Sequence, residues 1–442
     1  MIDVRTITPE IPAACSQDGQ FRSRRPRSSA ASGVVLGALA VLVVGCAGGS
    51  HANVRQQEQL GKAVFNDVNL SLNRNQSCAA CHDLAWGGTG ADQAVNTGGA
   101  VYEGSVAGRF GNRKPPSSAY AAISPVLSFD AKSGFVGGNF WDGRATGLLL
   151  GNPAADQAQG PFLNPVEQAL PDAACVVYRV ATSSYHRLYR EVWGSNIFTI
   201  HFPSNTDPLC AASQSVRLGA ADRAKVTTEY DNIARAIAAW EASDEVSAYT
   251  SKFDAWKAGL VALSADEEKG WALFNGKGEC ARCHVPDGPK PAFTDFTYDN
   301  LGVPKNPANP FYATDPGFID TGLGGFLMSR PDLGPYEPEL GKQKVPTLRN
   351  VDRRPPGGGV KAYMHNGVFK SLREVVHFYN TRDVLPRCEV TPSPMIGVNC
   401  WPAPEVARNL NVSEVGNLGL SAEDENALIA FLTTLSDGFI KN

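Results

Sequence analysis

Ten cysteines occur in this 442-residue chain, and four of them sit in a spacing that does chemistry. Cys78, Cys81 and His82 form C-x-x-C-H, and Cys280, Cys283 and His284 repeat it. Two thiols at this separation can reach the two vinyl groups of one porphyrin, while the adjacent imidazole is delivered to the iron. Each copy therefore predicts one covalently attached c-type haem. A zinc or redox C-x-x-C is the other use of such a pair. Zinc would want further paired Cys or His nearby, and neither copy has them.

Setting aside Cys15 and Cys46 near the N-terminus leaves Cys175, Cys210, Cys388 and Cys400, enough for two disulfides. Of the three connectivities, the local pairs Cys175–Cys210 and Cys388–Cys400 are favoured, because each staples one Pro- and Asn-containing excursion in an oxidising compartment. Unpaired buried thiols are the alternative. Residues 1–45 fit an export signal, with a basic segment from Arg22 to Arg27 and an apolar run from Ala30 to Gly45 that is too short to span a bilayer permanently. Val43-Val44-Gly45-Cys46 resembles a bacterial lipobox, in which Cys46 would be lipidated and become the first mature residue. Ala47 favours outer-membrane sorting in that class of signals, so the expected location is the periplasm, on a lipid anchor. Ordinary cleavage near Ala47 is the alternative.

The formal charge of -4 includes a leader with five Arg against Asp3, Glu10 and Asp18, which leaves the mature chain at -6. Nothing in that balance points to nucleic acid. A hydrophobic fraction of 43% with 19% charged residues is ample for two packed cores and argues against disorder.

The elements that must position the motifs follow a repeated plan. Val54 to Val64 has helical spacing and leads through Leu70-Ser71-Leu72-Asn73 to the first motif. Glu267 to Phe274, with Gly270, Trp271 and Phe274, precedes Cys280 much as Gly61 and Phe65 precede Cys78, a degenerate internal duplication. Each half closes with a helical segment, Asp231 to Ala242 in the first and Ala422 to Leu435, after the Ser421 cap, in the second. Helix, haem loop, irregular stretch and closing helix is a cytochrome c plan. The expected fold is mainly α, with two cytochrome c-like domains, residues 46–250 and 251–442, each carrying one covalent c-type haem.

Over nearly all of its mature length the chain resembles the bacterial dihaem cytochrome c peroxidase and MauG family. The resemblance rests on Leu60-Gly61-Lys62 with Leu70-Ser71, Phe140-Trp141-Asp142-Gly143-Arg144-Ala145, Gly160-Pro161 with Asn164-Pro165-Val166-Glu167, Phe293-Thr294-Asp295 with Asn300-Leu301-Gly302-Val303-Pro304, Val345-Pro346-Thr347-Leu348-Arg349-Asn350 and Tyr363-Met364-His365-Asn366-Gly367. It implies a peroxide-reactive N-terminal haem and a C-terminal haem that stores or relays oxidising equivalents. Trp141 matches the family's Trp between them. Glu167 matches its acid–base Glu, Gln157 falls where a hydrogen-bonding partner for that Glu is expected, and Pro161 falls in the wall of the peroxide pocket.

Two departures place the chain closer to the MauG-like branch. Peroxidases of the family hold a removable His over the resting N-terminal haem, but no His occurs between His82 and His186, so this haem is expected to be five-coordinate. At the C-terminal haem the usual Met position falls on Tyr379, as in MauG, with Met364 and His377 as the other candidate ligands. A phenolate stabilises oxidised iron, whereas a thioether favours the reduced state. Calcium is a further candidate cofactor. The family's Asn ligand falls on Lys114, whose ammonium would repel Ca²⁺ unless Asn112 takes its place, and the carbonyl ligands would come from Val360 and Ala362.

Three functions from different classes remain. A MauG-like enzyme would use hydrogen peroxide to form a high-valent dihaem state that oxidises aromatic residues of a partner protein. A cytochrome c peroxidase would reduce peroxide with electrons from a small redox protein. A periplasmic electron-transfer cytochrome would do neither.

Overall fold

The computed structural model describes residues 47–440, so the expected leader and the expected lipid-bearing Cys46 lie outside the described residues. The described chain is mainly α-helical, with four strands of two or three residues paired as two short antiparallel ribbons. In chain order the helices that position the site are α1 (Ala47–Phe65), α2 (Pro153–Leu163), α3 (Ala173–Ala181), α4 (Ala220–Glu241), α5 (Lys252–Lys257), α6 (Ala265–Asn275), α7 (Leu372–Thr381) and α8 (Ala422–Thr433). Among the described residues no helix is long and apolar enough to cross a membrane.

One helix crossing occurs twice. A Cβ on Gly61 of α1 would lie 1.9 Å from the carbonyl oxygen of Ala236 in α4, and a Cβ on Gly270 of α6 would lie 2.0 Å from that of Ala427 in α8. Only a residue without a side chain lets the two backbones of each pair come this close. Four residues on from each glycine is a phenylalanine, on the same helix face. Phe65 meets Trp240 with ring centroids 4.5 Å apart, and Phe274 meets Phe431 at 5.2 Å. The duplication read from Gly61-Phe65 and Gly270-Phe274 is thus a duplicated helix contact.

Local chemistry starts these helices where they are needed. Ser264, Ser371 and Ser421 each form a capping box, with Glu267, Glu374 and Asp424 as the reciprocal acids. Asn152 caps α2, whose first residue is Pro153. The closing helix α4 begins at Ala220, upstream of the expected Asp231, because Val226 and Tyr230 extend the buried stripe of Ile233 and Ile237 at helical spacing.

Two apolar clusters carry most of the core. One includes Leu60, Phe65, Phe162, Tyr189 and Trp240; the other includes Phe253, Phe274, Phe293, Trp401 and Phe431. A third, smaller cluster joins Leu127 and Phe135 to Tyr298, Leu323 and Leu327, so residues from the two halves of the chain share it. The disulfides are the local pairs: Cys175, buried in α3, is bonded to Cys210, and Cys388 to Cys400.

The crossings predict a stability effect. Gly270→Val places a branched side chain against the Ala427 carbonyl and the Phe431 Cβ, which Gly270 now approaches without one. Overpacking of this kind costs about 1–3 kcal/mol or more. Thermal unfolding of the holoprotein should fall by several degrees, and an unchanged melting temperature would contradict the close crossing.

Candidate active site

The two C-x-x-C-H motifs fold alike. Each opens as a single 3-10 turn, Cys78–Ala80 and Cys280–Arg282, which swings the following imidazole inward. His82 Nδ1 lies 3.0 Å from the Gly88 carbonyl oxygen, and His284 Nδ1 lies 3.0 Å from that of Phe293. A carbonyl can only accept, so Nδ1 carries the proton in each ring and Nε2 keeps its lone pair for a metal. Burial lowers the pKa of both imidazoles, which keeps them in the neutral form that ligation requires.

All four motif thiols are free. Burial pushes every one of them up, so none is poised as a thiolate for redox exchange. Each motif lines a cavity, of about 350 Å³ in the N-terminal half and about 180 Å³ in the C-terminal half. Two unbonded thiols and an imidazole with a free Nε2, facing one apolar-lined space, fit a covalently held haem, and they do so twice.

Trp141, Lys344, Val345 and Pro346 line both cavities and so form their common wall. Trp141 is held by its own polar atoms. Its indole N–H donates to the Lys114 carbonyl at 2.8 Å, and its carbonyl accepts from Lys344 N at 2.8 Å. The next residue, Asp142, accepts from Arg113 at 2.5 Å and Arg144 at 3.0 Å, and Arg113 also reaches Asp320 at 2.6 Å. The nearly buried triad of Asp142, Arg113 and Asp320 ties the Trp141 loop to the second half of the chain.

Glu167, Gln157 and Pro161 line the N-terminal cavity, Gln157 and Pro161 from α2 and Glu167 from the turn that follows it. The hydrogen-bond partner of Glu167 is Asn164, the C-cap of α2, whose Nδ2 donates to Oε1 at 3.0 Å. Gln157 makes no hydrogen bond to that carboxyl. Asn164 lies three residues before Glu167 in a tight turn closed by Glu167 N to Asn164 O at 3.0 Å, so the local amide is the one within reach. Burial raises the pKa of Glu167, with Arg144 and Asn164 opposing. His82 is the single imidazole among the residues that line this cavity.

In the C-terminal cavity the lining comes from one face of α7. Leu372, Val375, Val376 and Tyr379 follow the i, i+3, i+4, i+7 spacing and all line the cavity. Met364 lines it too, from a backbone with φ of 67°. His377 does not. One step past Val376, it is turned to Glu425, whose Oε1 lies 2.9 Å from His377 Nδ1.

Several buried ionisable groups at these cavities escape a motif-based reading. Glu241 lines the N-terminal cavity, and burial pushes its pKa up to about 8. Lys114 and Lys344 also line it, and burial pulls both down to about 7. No motif marks Glu241 or Lys344, and Lys114 stands out in the sequence only as the position of the family's Asn ligand.

Two covalent haems per chain are expected from this geometry. Intact-mass spectrometry should show the addition of two, and Cys280→Ala with Cys283→Ala should remove one while leaving the other. A gain of one haem or none in the unaltered protein would contradict the reading.

Residues 55–262 match the family model for di-haem cytochrome c peroxidase. The methylamine utilization protein MauG of Paracoccus denitrificans is 35% identical over 387 residues, 86% of this chain and 88% of the relative. Cytochrome c551 peroxidase of Nitrosomonas europaea is 28% identical, covering 72% of this chain and 71% of the relative. The crystal structure of the diheme peroxidase BthA from Burkholderia thailandensis superposes with a TM-score of 0.68 at 29% identity, covering 86% of each chain. With two C-x-x-C-H cavities sharing one wall and a relative this similar over most of both chains, the protein belongs to the di-haem cytochrome c peroxidase and MauG family of haem-dependent oxidoreductases.

Proposed function

We propose that this enzyme works in the periplasm, uses hydrogen peroxide as oxidant, and oxidises aromatic side chains of a partner protein. In this reading the chain divides near residue 250 into a peroxide-reactive N-terminal domain and a charge-storing C-terminal domain. The observation that carries it is Tyr379 on the cavity face of α7, with His377 turned away to Glu425. A phenolate ligand would hold the C-terminal iron in oxidised states that a thioether disfavours. The similarity to MauG over most of both chains supports the same branch.

The haems, when bound, supply the redox chemistry and take the two oxidising equivalents of peroxide. The chain supplies protons, a path and water exclusion. Glu167 is the proton carrier of the N-terminal cavity, taking a proton from one peroxide oxygen and returning it to the other as the O–O bond breaks. Asn164 holds the carboxyl in place through Oε1. With no second imidazole in the lining, peroxide has an open approach.

Trp141 would relay electrons between the cavities. Its N–H donates to an amide carbonyl, which is too weak a base to take the proton, so an oxidised indole would keep its proton and pass the hole on. From the second cavity an aromatic ladder leads outward. Phe274 lines the cavity, stacks on Trp271 at 6.2 Å, and Trp271 meets the partly exposed Trp256 at 5.6 Å. The indoles of Trp271 and Trp256 could carry a hole outward, with Phe274 as packing between them and the cavity, so that a large partner need not enter it.

The second reading is a peroxidase fed by a small redox protein, and Met364 in the same cavity favours it. The readings differ at Trp141 and at the product. Trp141→Phe should keep both haems and the initial reaction with peroxide but lose oxidation of Trp or Tyr on a partner protein, followed as a mass change. If peroxide consumption instead tracks the oxidation of a reduced small cytochrome or copper protein, and no aromatic product forms, the second reading stands.

Glu167 sets a pH limb. Its pKa is raised, and below it the protonated carboxyl cannot accept a proton. The rate of reaction with peroxide should therefore fall on acidification at a higher pH than an exposed Glu would give, and rise to a plateau above. Glu167→Gln should slow that reaction by about 10²–10⁴-fold and remove the limb. An unchanged rate and profile would remove Glu167 from the mechanism.

A further inference from the structure

We propose that this protein holds no calcium between its haem cavities and carries in that place the tethered ammonium of Lys361, beside the buried amine of Lys114. Lys361 is buried, and its Nζ donates to the carbonyl oxygens of Trp86 at 2.9 Å, Asn350 at 2.8 Å and Arg353 at 3.3 Å. An ammonium has three N–H donors, and here it meets three acceptors. A neutral amine would turn its lone pair toward one of those oxygens, so this cage selects the charged form against the burial that disfavours it. Among the described residues no carboxylate oxygen lies within 4.0 Å of Lys361 or Lys114. The carbonyl dipoles take the part of counter-charge.

The donor set that calcium would need is not assembled. Calcium takes six to eight oxygens at about 2.3–2.6 Å. Its side-chain position is Lys114, buried and a donor where calcium needs an oxygen, with Nζ donating to Thr89 Oγ1 at 2.8 Å and the Pro115 carbonyl at 3.0 Å. The Val360 carbonyl already accepts from Asn96 Nδ2 at 3.1 Å and Gln93 Nε2 at 3.4 Å. The backbone carbonyl of Asn112 is also taken, accepting from Asn309 Nδ2 at 3.0 Å.

The lysines also do the joining that a bridging ion would do. The Lys361 cage takes one carbonyl from the first haem segment, Trp86, and two from the second half, Asn350 and Arg353. Lys114 joins the halves through its backbone: its N–H donates to the His365 carbonyl at 2.8 Å, and its carbonyl accepts the Trp141 indole. A cation fixed by a covalent stem cannot be lost to dilution or to a chelator. The wall that holds Trp141 is thereby independent of free calcium.

The test uses the holoprotein. After dialysis, elemental analysis should find iron at two per chain and calcium far below one per chain, and neither EGTA nor added calcium chloride should move the haem absorption bands, the low-spin ferric EPR signal or the melting temperature. Lys361→Met, which keeps the stem and removes the charge and donors, should lower the melting temperature by several degrees and shift the ferric EPR signal. Calcium near one per chain, removed by EGTA with a change in those signals, would overturn the proposal. So would a Lys361→Met protein with the melting temperature and spectrum of the unaltered chain. The calcium measurement stands even if that variant does not fold, and it reads the cation site whether or not a partner protein is ever oxidised.

Discussion

Both cavities depend on the wall they share, in which the indole of Trp141 stands with Lys344, Val345 and Pro346. A relay works only at a fixed distance, and an exposed loop would not supply one. Here the loop is fixed through the indole N–H and the backbone carbonyl of Trp141, which bond to the Lys114 carbonyl and Lys344 N. Beside it, Arg113 is clamped between Asp142 and Asp320. Breaking a buried ion pair by removing one partner costs about 3–5 kcal/mol, because the other charge is left uncompensated. The triad therefore resists any drift of this loop away from the second half.

Burial of charge is the recurring theme around that wall, and its sign varies with place. Asp142 and Asp320 face guanidinium groups, and both stay ionised, with pKa values held below the ordinary carboxylate range. Glu167 and Glu241 lack such a partner at bonding distance, and both are raised. The same apolar surroundings that must exclude water from two porphyrins thus sort the carboxyls into structural anions and titratable acids. The lysines follow the complementary rule, with carbonyls standing in for the absent acids at Lys361.

Much of this was legible in the sequence because it is written in local spacing. The C-x-x-C-H copies, the Gly-Phe pairs four residues apart and the local disulfides each need only neighbours in the chain, and each folds as its spacing implies. The stripe of Leu372, Val375, Val376 and Tyr379 is of the same kind, and it also explains why His377 points elsewhere. Contacts set by the meeting of distant segments were not legible. Gln157 and Asn164 both flank Glu167, and only the turn at the end of α2 decides that Asn164 takes the bond. Lys361 carries no motif at all, since its three acceptors are backbone atoms from residues 86, 350 and 353.

On the proposed function, oxidising equivalents from peroxide are held by the two haem sites together and spent on a protein side chain. Rapid mixing of the ferric holoprotein with one equivalent of hydrogen peroxide, with no electron donor present, tests it most directly. An oxidised state that alters the absorption of both haems at once and persists for many seconds before decaying is the predicted result. Spectral change confined to one haem, with rapid return to the ferric form and fast peroxide turnover only when a reduced small redox protein is supplied, would contradict it.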